Sequence, residues 1–413
     1  MNGINKERLF LASCIALITT AMSFAIRGDI MGDFETVFQL NKTNVGWIAG
    51  AAFWGFGLSI FIGGPLCDVV GMANIMRLAA AGHILGTVLT IFAPDFLILF
   101  LATLLIGVAN GLVEAAINPL IATIYAGEKT KKLVALHAWF PGGIVIGGVL
   151  AYAMSEAGLA KGLAYEAIGW KLKMGLLLIP AVIYVFLYTG QKFPATERAA
   201  SGVSMGEMFK EALRPLFILL WVCMWLTAST ELGPGQWVAN IFNDVMKGQA
   251  GILVLVWING LMYVLRQFGG PVAHKLSPIQ LIAVTSVAAV VGLRLFTVAS
   301  TPGLWFVAAA VFAVGIAFWW PTMLGITSER FPKGGALLLA IIGGTGSIST
   351  AVSGPAMGRI NDKLGPEKVL PIWSWLPVAV LVIFALIALS DRAKGGYKIE
   401  KLTAANENAN KGA

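Results

Sequence analysis

Apolar residues gather along this chain into twelve long runs, at roughly 9–35, 44–66, 74–92, 96–125, 133–154, 170–189, 215–243, 250–272, 279–299, 303–326, 335–360 and 370–390. A helix needs about 20 apolar residues to cross the hydrocarbon core of a bilayer, and each run is of that order. The breaks carry turn chemistry and charge: Pro94-Asp95, Gly127-Glu128-Lys129, Ser277-Pro278, Phe331-Pro332-Lys333-Gly334 and 361–366. The pattern predicts an all-α polytopic membrane protein with twelve transmembrane helices.

Composition agrees. Of the 413 residues 58% are hydrophobic and 12% charged, with a mean hydropathy of +0.81; ordinary globular domains carry about 25% charged residues. The net charge of +8 comes from 29 Lys and Arg against 21 Asp and Glu. A nucleic-acid binder would cluster its basic residues on one face, and here long apolar runs separate them. Cys14, Cys67 and Cys223 lie far apart with no CxxC spacing, so no disulfide scaffold or metal site is expected. Disorder is expected only in the polar tail from about Lys394. With the N-terminus inside, the cytoplasmic segments hold eighteen of the basic residues and the outer segments eight, while Arg27, Arg266 and Arg294 fall within spans. That asymmetry is the positive-inside rule at work, with both termini cytoplasmic. The first run is too long for a cleavable signal and contains Arg27 and Asp29. A multi-pass protein of a bacterial inner membrane, acting as a monomer in its lipid bilayer, is the expectation.

The chain also repeats itself. Gly63-Gly64-Pro65 at the end of the second run recurs as Gly269-Gly270-Pro271 at the end of the eighth. Gly107 is matched by Gly315, the Glu128-Lys129 turn by Glu329-Arg330, and Gly142-Gly143 by Gly343-Gly344, all at offsets of 201 to 208 residues. Two six-helix pseudo-symmetric halves follow, 1–189 and 215–392, joined by a cytoplasmic linker at 190–214 and followed by a polar tail at 393–413. With Gly64-x-x-x-Asp68-x-x-Gly71 between the second and third runs, the sequence resembles the major facilitator superfamily. In that loop Val69, Met72 and Ala73 stand where basic residues are usual, with only Arg77 downstream.

A charge inside a bilayer costs several kcal/mol on most estimates and marks a pathway or a partner. Six lie well inside the runs, away from their ends: Arg27, Asp29, Glu114, Glu231, Arg266 and Arg294. Asn110, Glu114 and Asn118 are spaced i, i+4, i+8, so they form one polar stripe on an apolar helix. Pro119 frees a backbone carbonyl one turn earlier. Desolvation in such a stripe favours the protonated carboxyl, as a proton-coupled step requires. The structural alternative is a carboxylate satisfied by an arginine on a neighbouring helix. Glu114-x-x-x-Asn118-Pro119 resembles the fucose–galactose–glucose:proton symporter branch of the superfamily, and so do the stretch around Asp29-Ile30 and Gln39-Leu40-x-x-Thr43-x-x-x-Gly46. The resemblance implies that Glu114 and Asp29 handle protons and sugar. At about 1.5 Å per residue, Asp29 falls in the outer half of helix 1 and Glu114 in the inner half of helix 4. Arg27 is a departure from that branch, and could pair with Asp29 or Glu114 or contact an anionic substrate.

In the seventh run, Gly233-Pro234-Gly235 predicts a broken helix whose unwound carbonyls, flanked by Glu231, Gln236, Trp237 and Asn240, would bind hydroxyls or a cation. His137 and Trp139 stand at the start of helix 5 where the branch often places a sugar-binding Gln or Asn; His137 is either a proton relay or a satisfied structural group. Trp237 and Trp257 could stack on a sugar ring, although most membrane tryptophans anchor or fill contacts. Asn259 and Gln267 share a face of helix 8 beside Arg266. The expected function is secondary active transport, by proton-coupled symport of a small polar, hexose-like solute, with Na+ the alternative ion. Organic-anion uptake, with Arg27 and Arg266 clamping a carboxylate, and drug or metabolite efflux are the alternatives. No GxxxxGK[ST] loop or nucleophile cluster is present in the sequence, so neither an enzyme nor a cofactor is expected.

Overall fold

The structure, a computed structural model, describes residues 3–40, 42–156, 168–196, 204–246, 251–269 and 275–400; Gln236 and Asn240 are described by their backbone alone. All regular structure among these residues is helical. The first half comprises α1 Lys6–Val37, α2 Lys42–Val69, α3 Met72–Ile91, α4 Phe96–Ile124, α5 Lys129–His137, α6 Trp139–Glu156, α7 Trp170–Gly175 and α8 Leu178–Tyr188. After α9 Met205–Ala212 in the linker, the second half comprises α10 Pro215–Met246, α11 Gly251–Phe268, α12 Pro278–Val298, α13 Pro302–Ile316, α14 Trp319–Arg330, α15 Gly335–Leu364, α16 Pro366–Trp373 and α17 Trp375–Ala393. Eleven spans are long and apolar enough to cross a membrane, and the shorter apolar helix Leu253–Phe268 stands where the remaining run was expected. The chain is therefore a multi-pass integral membrane protein.

The helix starts follow from capping chemistry. Asn5, Asp95 and Thr301 each accept the backbone N–H three residues on, and Ser277 forms a capping box with Gln280. Four spans break rather than run through, at Ala138, between α7 and α8, between α13 and α14, and at Ser374. The expected break in the seventh run does not occur. α10 continues through Gly233-Pro234-Gly235, because one proline removes a single ladder hydrogen bond and its ring clash can be absorbed by a bend. Gly233 instead gives room to Trp373 and Met357 on neighbouring helices. The proposed unwound carbonyl site is thus absent from α10.

Close glycine crossings hold each half together. A Cβ on Gly107 would collide with the Ala52 carbonyl of α2, and one on Gly315 with the Ala289 backbone of α12. The two glycines share a function but not an equivalent place, since one faces the second span and the other the ninth. Backbone cannot step aside as a side-chain tip can, so Gly107→Val is expected to separate α2 from α4 and abolish the folded, monodisperse fraction in detergent size-exclusion chromatography. The second copy of the Gly-Gly-Pro landmark, 270–274, lies outside the described residues.

Large apolar side chains such as Phe92 (74% exposed) and Phe186 (70%) cover the outer surface, as a lipid-facing wall requires. Both chain ends described lie on one face. There Arg8 donates to the Phe186 and Leu187 carbonyls at 3.0 and 2.9 Å, capping α8. The start of the expected disordered tail is instead packed. Tyr397 donates to Glu329 at 2.8 Å, and Glu400 pairs with Arg214 at 2.8 Å. Burial beside Glu329 holds the Tyr397 phenol above its ordinary range.

The halves meet along α2 and α15, where Gly64 lies against Ala336 and Ala340 and Gly57 against Ile348. They also meet along α5–α6 and α11, where Gly142 receives Tyr263. On the termini face Thr130 of α5 donates to Glu329 of α14. This face is therefore bridged between the halves by a side-chain hydrogen bond.

Candidate functional site: a polar cluster between the halves

α4 carries Asn110, Glu114 and Asn118 on one buried face, at 0, 3 and 4% exposure. Pro119 has no N–H for the Ala115 carbonyl, and the Cys67 thiol of α2 lies 3.4 Å from that oxygen, in position to donate. The Asn118 amide turns back one turn: its Nδ2 donates to Glu114 Oε2 at 2.8 Å and to the Glu114 carbonyl at 2.9 Å. That leaves Asn118 Oδ1 to accept from His137 Nε2 at 2.9 Å. His137 Nε2 also stands 3.8 Å from Glu114 Oε2. So Glu114, Asn118 and His137 form one hydrogen-bonded unit, packed by α4 and α5.

His137 is the last residue of α5, and Pro141 cannot donate to its carbonyl. Arg266 of α11 supplies that bond, from Nη1 at 2.8 Å. Its Nε donates to the Ala317 carbonyl, which Pro321 leaves free at the break between α13 and α14. Its Nη2 binds Glu231 Oε1 of α10 at 2.8 Å. One guanidinium, itself 4% exposed, thus satisfies two proline-freed carbonyls and a buried carboxylate, and ties the second half to the first. Arg266 is therefore not a free clamp for a substrate carboxylate, because its fork is already filled. The prolines at 141 and 321 were the sequence signal that could have shown this.

The cluster holds two buried carboxylates in unlike surroundings. Glu231 is paired with a cation. Glu114 touches only Asn118 and His137, and among the described residues no Lys or Arg lies within ion-pairing distance of it. The repeat underlines the asymmetry. Pro119 has Pro321 as its counterpart, but Ile316 and Trp320 stand where the first half has Glu114 and Asn118.

The other predicted residues are dispersed. Asn110 turns away from Glu114: its Oδ1 meets His83 Nε2 at 2.8 Å and its Nδ2 donates to Ser23 at 3.0 Å, while His83 Nδ1 meets the Tyr184 hydroxyl at 3.0 Å. His83 is thus the joint of a network across α1, α3, α4 and α8. Asp29 is not beside Glu114 but binds the buried Lys173 of α7 at 2.5 Å. Arg27 pairs with neither carboxylate and lies 5.0 Å from the Phe24 ring. Trp237 donates to the Gly354 carbonyl at 3.1 Å and Asn259 to Leu255 at 2.9 Å. Trp257 is 43% exposed and shares an outer stripe with Leu253, Val264 and Phe268, which removes it from the interior. Gln267 is half-buried and takes no part in the cluster. The side chains of Gln236 and Asn240 lie outside the description.

A sequence profile described as Major Facilitator Superfamily matches residues 9–337. The chain belongs to that superfamily. Its fold is also that of solved members. It superposes with a TM-score of 0.75 on the proton:xylose symporter XylE bound to 6-bromo-6-deoxy-D-glucose, at 14% identity over 92% of this chain and 95% of that one. Against FucP, the Escherichia coli fucose:proton symporter, in its outward conformation, the TM-score is 0.74 at 16% identity, over 92% and 98% of the two chains. Among curated relatives, the Escherichia coli (strain K12) 3-(3-hydroxy-phenyl)propionate transporter is 26% identical over 227 residues, 54% of each chain. The chain spans about half or less of the length of the curated relatives it matches. Membership places it in a superfamily of transporters, and the two-half fold described above is shared with the solved members.

Proposed function

We propose that this superfamily member is a proton-coupled symporter that takes up a small hydroxylated solute into a bacterial cell, with both termini cytoplasmic and Glu114 as the proton carrier. The observation that carries this is the contrast between the two buried carboxylates: Glu231 has its charge matched by Arg266, whereas the partners of Glu114 are an amide and an imidazole, neither of them a fixed cation. An uncompensated charge in a bilayer is expensive, so Glu114 is the group that exchanges a proton as its surroundings change access. The solutes named for the similar proteins, xylose, a bromodeoxyglucose, fucose and a hydroxyaryl acid, all carry hydroxyl groups.

The hydrogen bonds supply a route from proton to motion. When Glu114 is ionised, Asn118 donates to it and accepts from His137 Nε2–H. When Glu114 is protonated, its O–H competes for Asn118 Oδ1, the acceptor that His137 Nε2–H otherwise uses, so the Glu114–Asn118–His137 unit rearranges. The carbonyl of His137 is the one that Arg266 grips across the halves. Proton occupancy at α4 is thereby felt at the α5–α11 contact, about which the halves rock. In proteoliposomes, an inward proton gradient is expected to drive accumulation without sodium; uptake indifferent to that gradient would overturn the reading. Asn118→Ala is expected to lower proton-driven uptake about a hundredfold, the lower end of what a positioned proton-transfer partner contributes, while solute exchange continues. Equal loss of both would make Asn118 a packing residue.

A further inference from the structure

Arg27 is the buried cation with nothing to hold. It is 7% exposed, yet among the described residues it makes no hydrogen bond and no ion pair; its guanidinium lies over the Phe24 ring, 5.0 Å from the centroid. The buried cations Arg266, Lys173 and Arg330 are matched, by Glu231 at 2.8 Å, by Asp29 at 2.5 Å and by Asp391 at 2.5 Å. Asp29, two residues along the helix, is already engaged with Lys173. A stacked ring offsets part of a cation's desolvation and leaves five N–H donors unfilled.

A second unfilled group lies on the same face. Thr20, Phe24 and Arg27 are spaced i, i+4, i+7, and the fully buried Thr20 hydroxyl has no hydrogen-bond partner. Phe24 stacks on Phe53 of α2 at 5.1 Å and lies tilted against Phe56 and Phe140. It also packs against the cluster that includes Ala340 of α15, so this face of α1 looks toward the other half. A guanidinium, a hydroxyl and an aromatic wall therefore converge on one strip between the halves. Buried polar groups without partners are rare and call for an explanation, and a ligand that completes them supplies one.

We propose that Arg27 is the carboxylate anchor of the transported solute, which is therefore a hydroxylated monocarboxylate, a sugar acid, rather than a neutral sugar. A planar carboxylate fits the guanidinium fork bidentately and cancels its charge; a neutral hydroxyl would do only the first, and poorly. Thr20 meets a solute hydroxyl, and Phe24 with Phe53, Phe56 and Phe140 forms the apolar wall beside it. A phosphate would call for more positive charge than the single guanidinium supplies. One proton on Glu114 carried with one monoanion makes the cycle electroneutral, whereas a neutral sugar with a proton would move charge.

This assignment rests on the transport reading, and its test is separable from that of Glu114. Purified wild-type, Arg27→Gln and Arg27→Lys proteins are titrated with D-glucuronate, D-gluconate, D-glucose and D-galactose by calorimetry, with unliganded thermal unfolding as the folding control. Wild type is expected to bind one of the two carboxylates and neither neutral hexose; Arg27→Gln is expected to lose at least a hundredfold in that affinity at unchanged unfolding temperature. Arg27→Lys, which keeps the charge without the fork, is expected to fall between and serves as the deciding variant if the Gln protein does not fold. Wild type preferring a neutral hexose, wild type binding none of the four, or carboxylate affinity unchanged in the variants would each overturn the assignment. Carboxylate binding that persists while transport ignores the proton gradient would count against Glu114 alone.

Discussion

Glu114→Gln is expected to abolish concentrative uptake while leaving solute counterflow within about twofold of wild type. The substitution keeps the shape of the side chain and its hydrogen bonds to Asn118, and imitates the protonated carboxyl permanently. Exchange of solute across the membrane needs only a neutral α4 and survives; net accumulation needs the proton to leave, and stops. Because accumulation is driven, the loss is the whole of the gradient rather than a fraction of a rate. Uptake against a gradient persisting at the wild-type level would make Glu114 a structural carboxylate. That no fixed cation partners Glu114, only an amide and an imidazole, is the reason for expecting otherwise.

Arg266→Met is expected to have the largest effect on stability. It leaves Glu231 buried at 6% exposure with no cation, and it uncaps the carbonyls of His137 and Ala317. Removing one partner of a buried pair costs about 3–5 kcal/mol, and each buried carbonyl left unsatisfied costs about 1–3 kcal/mol, with the contributions overlapping. The unfolding midpoint in detergent should fall steeply. Adding Glu231→Gln should recover a large share, since it removes the stranded charge but not the uncapped carbonyls. Arg266→Lys should recover less than half, because an ammonium cannot span three acceptors as the fork does. A single Arg266→Met protein as stable as wild type would show that the bilayer or water, not this residue, satisfies the two breaks.

Much of the fold was legible because hydropathy and capping act locally. Run lengths located the helices within a few residues, and Asp95 and Ser277-Pro278 marked helix starts. The stripe of Glu114 and Asn118 was legible from spacing alone. What escaped was rotation and partnership. A helix apolar all round does not reveal which side meets lipid, so Trp257 could not be told from an interior tryptophan. Pairings over long separations, such as Asp29 with Lys173, leave no local trace, and the same spacing that grouped Asn110 with Glu114 concealed that it turns toward His83. The Gly-Pro-Gly of α10 misled for the opposite reason: its local signal is strong, but packing against α15 and α16 keeps the helix whole. Arg266 was visible as a costly charge. Its role needed three elements at once, since the carbonyls it binds are freed by prolines on two other spans.

The central claim is that Glu114 carries the proton that moves with the solute. It is tested most directly by trapping a pH-sensitive dye inside proteoliposomes and adding solute outside, with no gradient imposed. Wild type is predicted to acidify the lumen as solute enters, and Glu114→Gln to carry solute by exchange with no acidification. Solute entry without acidification in wild type, or equal acidification in the variant, would contradict the account.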